Sequence, residues 1–68
     1  MNAAFEALAH PTRRDILALL KGGGRTAGDL AAAVGVSRPT MSAHFAKLKA
    51  AGLIAAGPRG AAIVYTLN

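Results

Sequence analysis

The segment from Thr26 to Gly52 constrains the fold most, because its residues mark the start and the end of two helices. The turn between the two helices is so short that the helices must cross each other. Thr26 followed by Asp29 is typical of a helix start, and Gly35 is typical of a helix end. A second helix is predicted to begin at Ser37, a capping residue, and to end at Gly52. Two helices joined by a short turn that contains glycine form a helix-turn-helix.

Two further helices are predicted before this segment. The first covers residues 2–9, where Phe5 and Leu8 are three positions apart and give the helix one apolar side. The second begins with Pro11 in its first turn and runs to about Lys21, where a run of three glycines ends it.

After Gly52 the pattern changes to short apolar runs. Residues 53–56 and 61–67 flank Gly-Pro-Arg-Gly at 57–60, which predicts a β-hairpin with its turn at those four positions. The expected fold class is therefore mainly α with a small β-hairpin: four short helices followed by a two-stranded wing. This is a winged helix-turn-helix, and we expect one domain over residues 1–68.

The charge balance favours a polyanionic partner. Eight Lys and Arg residues against three Asp and Glu residues give a net charge of +5. An alternative is that the basic surface only keeps a small domain soluble. The chain has no cysteine and no long apolar run, and no signal peptide follows Met1. We expect a cytoplasmic, nucleoid-associated protein without membrane contact. No catalytic set or phosphate-binding glycine loop indicates an enzyme, and no cofactor is predicted.

The fourth helix has a clear inner and outer side. Met41, Phe45 and Leu48 recur at i, i+4 and i+7, which predicts that they face the core. Four positions are then expected to face outward: Pro39, Ala43, Ala46 and Ala50. His44 lies at the border, where a structural role and a phosphate contact are equally open.

The chain resembles the ArsR-type bacterial repressors over nearly its whole length. The resemblance rests on the ordered set Ala7-Leu8-Ala9-His10-Pro11-Thr12-Arg13-Arg14, Ile16-Leu17-x-Leu19-Leu20, Asp29-Leu30-Ala31, Val36-Ser37-Arg38-Pro39-Thr40-Met41-Ser42-x-His44, Leu48, Ala51-Gly52-Leu53-Ile54 and Tyr65-x-Leu67. It implies a transcriptional repressor that binds specific double-stranded DNA and forms a homodimer. The first helix and the hairpin edge are the two candidate dimer contacts.

The resemblance also places the fourth helix in the major groove of DNA. The candidate DNA-binding residues are Ser37, Arg38, Thr40, Ser42, Ala43, His44 and Lys47, with Arg14 and Arg59 outside that helix. Arg38 is predicted to contact a guanine edge, Ala43 a thymine methyl group, and Lys47 a phosphate. Arg14 is also assigned to a phosphate. Arg59, at the tip of the wing, is expected to enter the minor groove or to contact the backbone beside it.

Two departures from the family pattern bear on the regulatory signal. Metal-sensing relatives carry a pair of cysteines where this chain has Thr26 and Gly28, so no metal site is expected. In such families a final helix often follows the wing; it would start near Asn68, and we expect this sequence not to include it. His10 is predicted to cap a helix, and the basic residues Lys21, Arg25 and Lys49 are expected to be solvated. A second hypothesis stays open: a winged helix used as a protein-interaction module or engineered scaffold without specific DNA binding.

Overall fold

The computed structural model describes residues 2–68 and confirms the expected winged helix-turn-helix architecture; Met1, the first residue of the predicted domain, lies outside the described residues. The elements in chain order are α1 (Ala3–Leu8), α2 (Pro11–Leu20), β1 (Arg25–Thr26), α3 (Ala27–Val34), α4 (Arg38–Ala50), β2 (Ile54–Arg59) and β3 (Ala62–Leu67). Among the described helices, none combines the length and apolar character needed to cross a membrane.

Side-chain caps fix where the helices begin. Thr26 Oγ1 accepts a hydrogen bond from the Asp29 amide at 3.1 Å, as predicted for the start of α3. His10 caps α2 in the same way, because its Nδ1 accepts from the Thr12 amide at 3.3 Å. At the helix ends, Gly35 (φ 81°) and Gly52 (φ 74°) adopt the left-handed conformation that most side chains disfavour. Gly35 ends α3 and thereby begins the short connection to α4.

The core forms where α4 meets the other helices and the sheet. Met41, Phe45 and Leu48 are buried at 0–3% exposure, which confirms the predicted inner side of α4. The Phe45 ring stacks on Tyr65 of β3 with a centroid distance of 4.0 Å. Ile54 of β2 is also buried in this cluster. The wing is thus attached to α4 through apolar contacts, which fixes its position beside that helix.

The predicted apolar side of α1 does not face the core. Phe5 is 72% exposed and Leu8 37%, whereas the small Ala7 is 1% exposed and belongs to the buried cluster. α1 has six residues and packs against α4, and a methyl group at the contact permits a close approach. The larger apolar side chains are therefore left on the surface.

The sheet has a third strand that the sequence did not predict. β1 pairs antiparallel with β3, with Arg25 opposite Tyr65 and Thr26 opposite Val64, so the strand order is β1-β3-β2. Arg25 is half-buried, and its Nε donates to the Leu19 carbonyl oxygen at 3.2 Å. The expectation that Arg25 is a solvated surface residue was wrong, because the guanidinium joins β1 to the end of α2.

The hairpin is longer than predicted and turns later. Gly57, Pro58 and Arg59 belong to β2, opposite Val64, Ile63 and Ala62 of β3, and the chain reverses over Gly60–Ala61. Gly60 has φ 61°, as the first residue of a two-residue type II′ turn requires. The predicted turn at 57–60 was therefore wrong in position. Pro58 is tolerated because β2 is an edge strand, where its missing N–H interrupts no second ladder.

Candidate nucleic-acid interface

One side of α4 is open to solvent along its length. Pro39, Ala43, Ala46 and Ala50 are all exposed, as predicted. Thr40 and Lys47 are exposed beside them and lie within about 60° of Ala43 around the helix axis. The structure thus brings Thr40, Ala43 and Lys47 together on one face, which presents a hydroxyl, a methyl and an ammonium group.

The Ser37 hydroxyl is occupied at the start of α4. Its oxygen accepts from the Thr40 amide at 3.3 Å, and its O–H donates to Thr40 Oγ1 at 2.9 Å. Thr40 accepts in that second bond and keeps its own hydroxyl proton available for an acceptor on a ligand. The geometry therefore gives Ser37 a positioning role and leaves Thr40 the more accessible donor.

Arg38 and Ser42 lie on a flank of α4 rather than on its outward face. Arg38 is five positions before Ala43, about 140° away around the helix. Its guanidinium lies over the first turn of α3, where a Cβ added at Gly28 would be 3.4 Å from Arg38 Nη1. The Arg38 guanidinium therefore lies within van der Waals reach of a side chain at position 28.

His44 lies on the opposite flank, against the start of α2. Its ring is 4.7 Å from the His10 ring, with 57° between the ring planes. Burial, followed by electrostatic repulsion from His10 and from Arg13, lowers the pKa of His44 below its usual value of 6.5. His44 is thus neutral at pH 7, and its contact with His10 indicates a structural component to its role.

Arg13 was missed by the sequence analysis. It is half-buried, and its Nε and Nη1 atoms are buried without a hydrogen-bond partner. Helical periodicity could have found it, because Arg13 lies three positions before the buried Ile16 and therefore near the inner side of α2. Its charge is one of the causes of the lowered pKa of His44.

The two remaining candidates lie outside α4. Arg14 Nη1 donates to the Leu8 carbonyl oxygen at 2.6 Å, which ties α2 to the end of α1. Arg59 is exposed as the last residue of β2, directly before the Gly60–Ala61 turn, so it lies near the tip of the wing. The phosphate contact predicted for Arg14 and the groove contact predicted for Arg59 stay predictions.

Within residues 2–68, no group of three or more His, Cys, Asp or Glu side chains is arranged as a metal site would require. The site that the described residues do form is an exposed helix with cationic groups, flanked by a wing. A helix of this kind fits the width of the major groove, where hydroxyl and ammonium donors and a methyl group can contact base edges.

Comparison with known proteins also indicates a helix-turn-helix protein. The family model described as a helix-turn-helix domain matches residues 8–55. The transcriptional repressor SdpR of Bacillus subtilis is 48% identical over 68 residues, which covers all of this chain and 76% of SdpR. The crystal structure of the ArsR family transcriptional regulator RHA00566 superposes with a TM-score of 0.88 at 31% identity and covers 98% of this chain and 69% of that one.

A third relative is described as homodimeric. The solution structure of the homodimeric winged helix-turn-helix DNA-binding domain Mb0332 from Mycobacterium bovis, a possible ArsR-family regulator, has a TM-score of 0.91 at 35% identity. The match covers 96% of this chain and 60% of that domain. The chain thus spans between three fifths and about three quarters of these three relatives.

Proposed function

The chain belongs to the ArsR family of winged helix-turn-helix transcriptional regulators, and on that premise we propose that it represses transcription by reading a specific double-stranded DNA sequence with α4. The family consists of transcriptional regulators, so the chain is not an enzyme. The observation that carries the proposal is the solvent-exposed side of α4. Because the opposite side of α4 is buried in the core, the helix can enter a DNA groove as a rigid unit.

In this arrangement Thr40 and Ala43 contact base edges, and Lys47 contacts a phosphate or a base. Arg59 contacts DNA from the wing, in or beside the adjacent minor groove. The net charge of +5 supports this assignment, because phosphate neutralisation provides most of the sequence-independent affinity for DNA.

We also infer that the protein acts as a homodimer and that α1 supplies part of the interface. Phe5 and Leu8 are exposed on α1, and burying apolar surface of this kind stabilises association. The hairpin edge is less suited, since Pro58 removes one N–H from β2 and short proline-containing edge strands resist pairing with another chain. The Mycobacterium bovis relative Mb0332 is described as homodimeric, which supports the inference.

Mobility shifts at fixed salt test the proposal. The wild-type protein should bind a duplex from its own promoter with a Kd at least about a thousandfold lower than that for a random duplex. The double variant Arg38→Ala/Lys47→Ala should lose binding and remain folded, because both side chains are exposed. Lys21→Ala is the matched control, since Lys21 is an exposed lysine outside α4. Equal affinity of the wild type for both duplexes would refute specific recognition and would favour the interaction-module hypothesis.

The metal and effector responses stay predictions. Thr26 and Gly28 at the start of α3 supply no thiolate, which supports a repressor whose DNA binding does not respond to a thiolate-bound metal. We place the protein in the bacterial cytoplasm, where such a repressor meets its DNA.

A further inference from the structure

A cleft of about 510 Å³ separates the recognition helix α4 from the wing. The first turn of α3 forms one wall, the beginning of β3 forms the other, and the Arg38–Ser42 flank of α4 lies between them. Its main lining side chains are Thr26, Arg38, Ser42, Ile63 and Tyr65. The cleft is therefore built from three elements that the core holds in fixed positions.

Arg38 is directed towards this cleft and away from the outward face of α4. Its guanidinium lies over the first turn of α3, where a Cβ added at Gly28 would be 3.4 Å from Nη1, and Arg38 lines the cleft. A base-reading side chain on a recognition helix instead projects from the outward face, where Ala43 lies. The position of Arg38 thus favours a ligand that lies beside the helix.

The cleft combines a cation with apolar surface. Arg38 supplies a guanidinium, Thr26 and Ser42 supply hydroxyl groups, and Ile63 is 49% exposed along the opposite wall. Among the described residues that line it there is no carboxylate; Asp29, in the first turn of α3, is exposed and does not line the cleft. A phosphate group fits the guanidinium and the hydroxyls, and the carbon atoms of a deoxyribose fit the isoleucine.

We propose that this cleft binds one segment of the DNA sugar–phosphate backbone and that Arg38 contacts a phosphate rather than a guanine. The proposal rests on the proposed function. A sugar–phosphate strand separates the major groove from each adjacent minor groove, so with α4 in the major groove and the wing at the minor groove that strand passes between them. The space between α4 and the wing is the cleft.

The role of Arg38 is tested with three kinds of duplex: one selected by the wild-type protein from a random pool, its single-base-pair variants, and a random duplex. Loss of a phosphate contact in Arg38→Ala should weaken binding to all of them by a similar factor, roughly 10-fold to 100-fold. The slope of log affinity against log salt should become less negative by about 0.9. Arg38→Lys should keep most of the slope because it keeps the charge, and Lys21→Ala controls for a lost charge outside the cleft.

Two substitutions at Gly28 test the cleft itself. Gly28→Glu places a carboxylate beside the phosphate, and Gly28→Gln places a neutral side chain of the same length there. The glutamate variant should bind every duplex more weakly than the glutamine variant, by the same factor. Both should remain folded, because the φ of Gly28 is not in the left-handed region and both residues are better helix formers than glycine.

The outcomes separate this inference from the proposed function. If Arg38→Ala relaxes preference at one base pair and leaves the random duplex unaffected, Arg38 reads a base and the inference is wrong. Equal affinities of the two Gly28 variants would also overturn it. If the wild-type protein selects no preferred duplex, the proposed specific recognition of DNA is refuted. A uniform loss of affinity in Arg38→Ala would then still support the backbone contact.

Discussion

His44 lies where two other basic side chains meet the recognition helix. The ring of His10, the N-cap of α2, is 4.7 Å away, and Arg13 lies in the first turn of α2. Burial and electrostatic repulsion from His10 and Arg13 lower the pKa of His44. Protonation of His44 in the folded state therefore occurs at a lower pH than in the unfolded chain, and the protein prefers the neutral imidazole at this contact.

This difference makes stability depend on pH. Between the lowered pKa of folded His44 and the unfolded value near 6.5, the unfolded chain binds more protons, so stability rises with pH in that window and is lost as pH falls through it. Above the unfolded pKa the contribution is fully present. We expect His44→Gln to show a smaller loss of stability than the wild type between about pH 7 and about pH 5, measured by urea unfolding. Parallel pH curves for the two proteins would contradict this assignment.

Ser37 determines the start of the recognition helix. Its hydroxyl accepts from the Thr40 amide, and Ser37→Ala should lower the free energy of unfolding by about 1 kcal/mol because an N-terminal amide of α4 loses its cap. Ser37→Asp is the matched variant, since aspartate caps a helix equally well. It should retain stability in urea unfolding and weaken DNA binding through its negative charge. A stable alanine variant would show that the cap contributes little.

Helix α4 illustrates which parts of the fold and the site follow from sequence. Its apolar residues recur with the helical period, so both the buried Met41 and Phe45 and the exposed Ala43 and Lys47 were predictable. The same rule failed for α1, because six residues are too few for a period to decide which side meets the core. A short helix docks where its neighbours leave space, and here that is at Ala7.

The sheet shows where local signals are insufficient. Gly57 and Pro58 carry turn propensity, yet the register with β3 extends β2 through Arg59. β1 has two residues and forms because the fold places it against β3. For the same reason the approach of Arg38 to Gly28 could not be predicted, because the two residues are ten positions apart and meet through the crossing of α3 and α4.

The contact of β3 with the chain before β1 is tight at Gly24. A Cβ added there would be 2.7 Å from Val64 Cγ1 and 3.2 Å from Thr66 Cγ2. Gly24→Ala should therefore destabilise the protein by about 1–3 kcal/mol through overpacking. Gly22→Ala is the control, since the nearest atom to an added Cβ there is 3.7 Å away. In urea unfolding, Gly24→Ala should have a lower midpoint than Gly22→Ala. Equal midpoints would show that β3 accommodates the added methyl group without loss of stability.

At the scale of the whole molecule, affinity for DNA depends on whether two copies bind together. A monomer that neutralises about three to five phosphates gives a slope of log affinity against log salt of roughly −3 to −4.5, and a dimer on two half-sites gives about twice that. The slope therefore reports the number of copies bound, while sedimentation equilibrium reports the number associated without DNA.

Substitution of Phe5 tests the α1 interface without disturbing the core. Phe5 is 72% exposed, so Phe5→Ser removes apolar surface available to a partner while the buried cluster stays intact. We expect the wild-type dimer to become a monomer, the salt slope to fall by about half, and thermal stability extrapolated to low protein concentration to be unchanged. Leu67→Thr, at another exposed apolar residue on β3, should remain dimeric. A Phe5→Ser variant that stays dimeric with the full slope would place the interface elsewhere than α1, and a wild-type monomer with the smaller slope would mean that one copy binds each site.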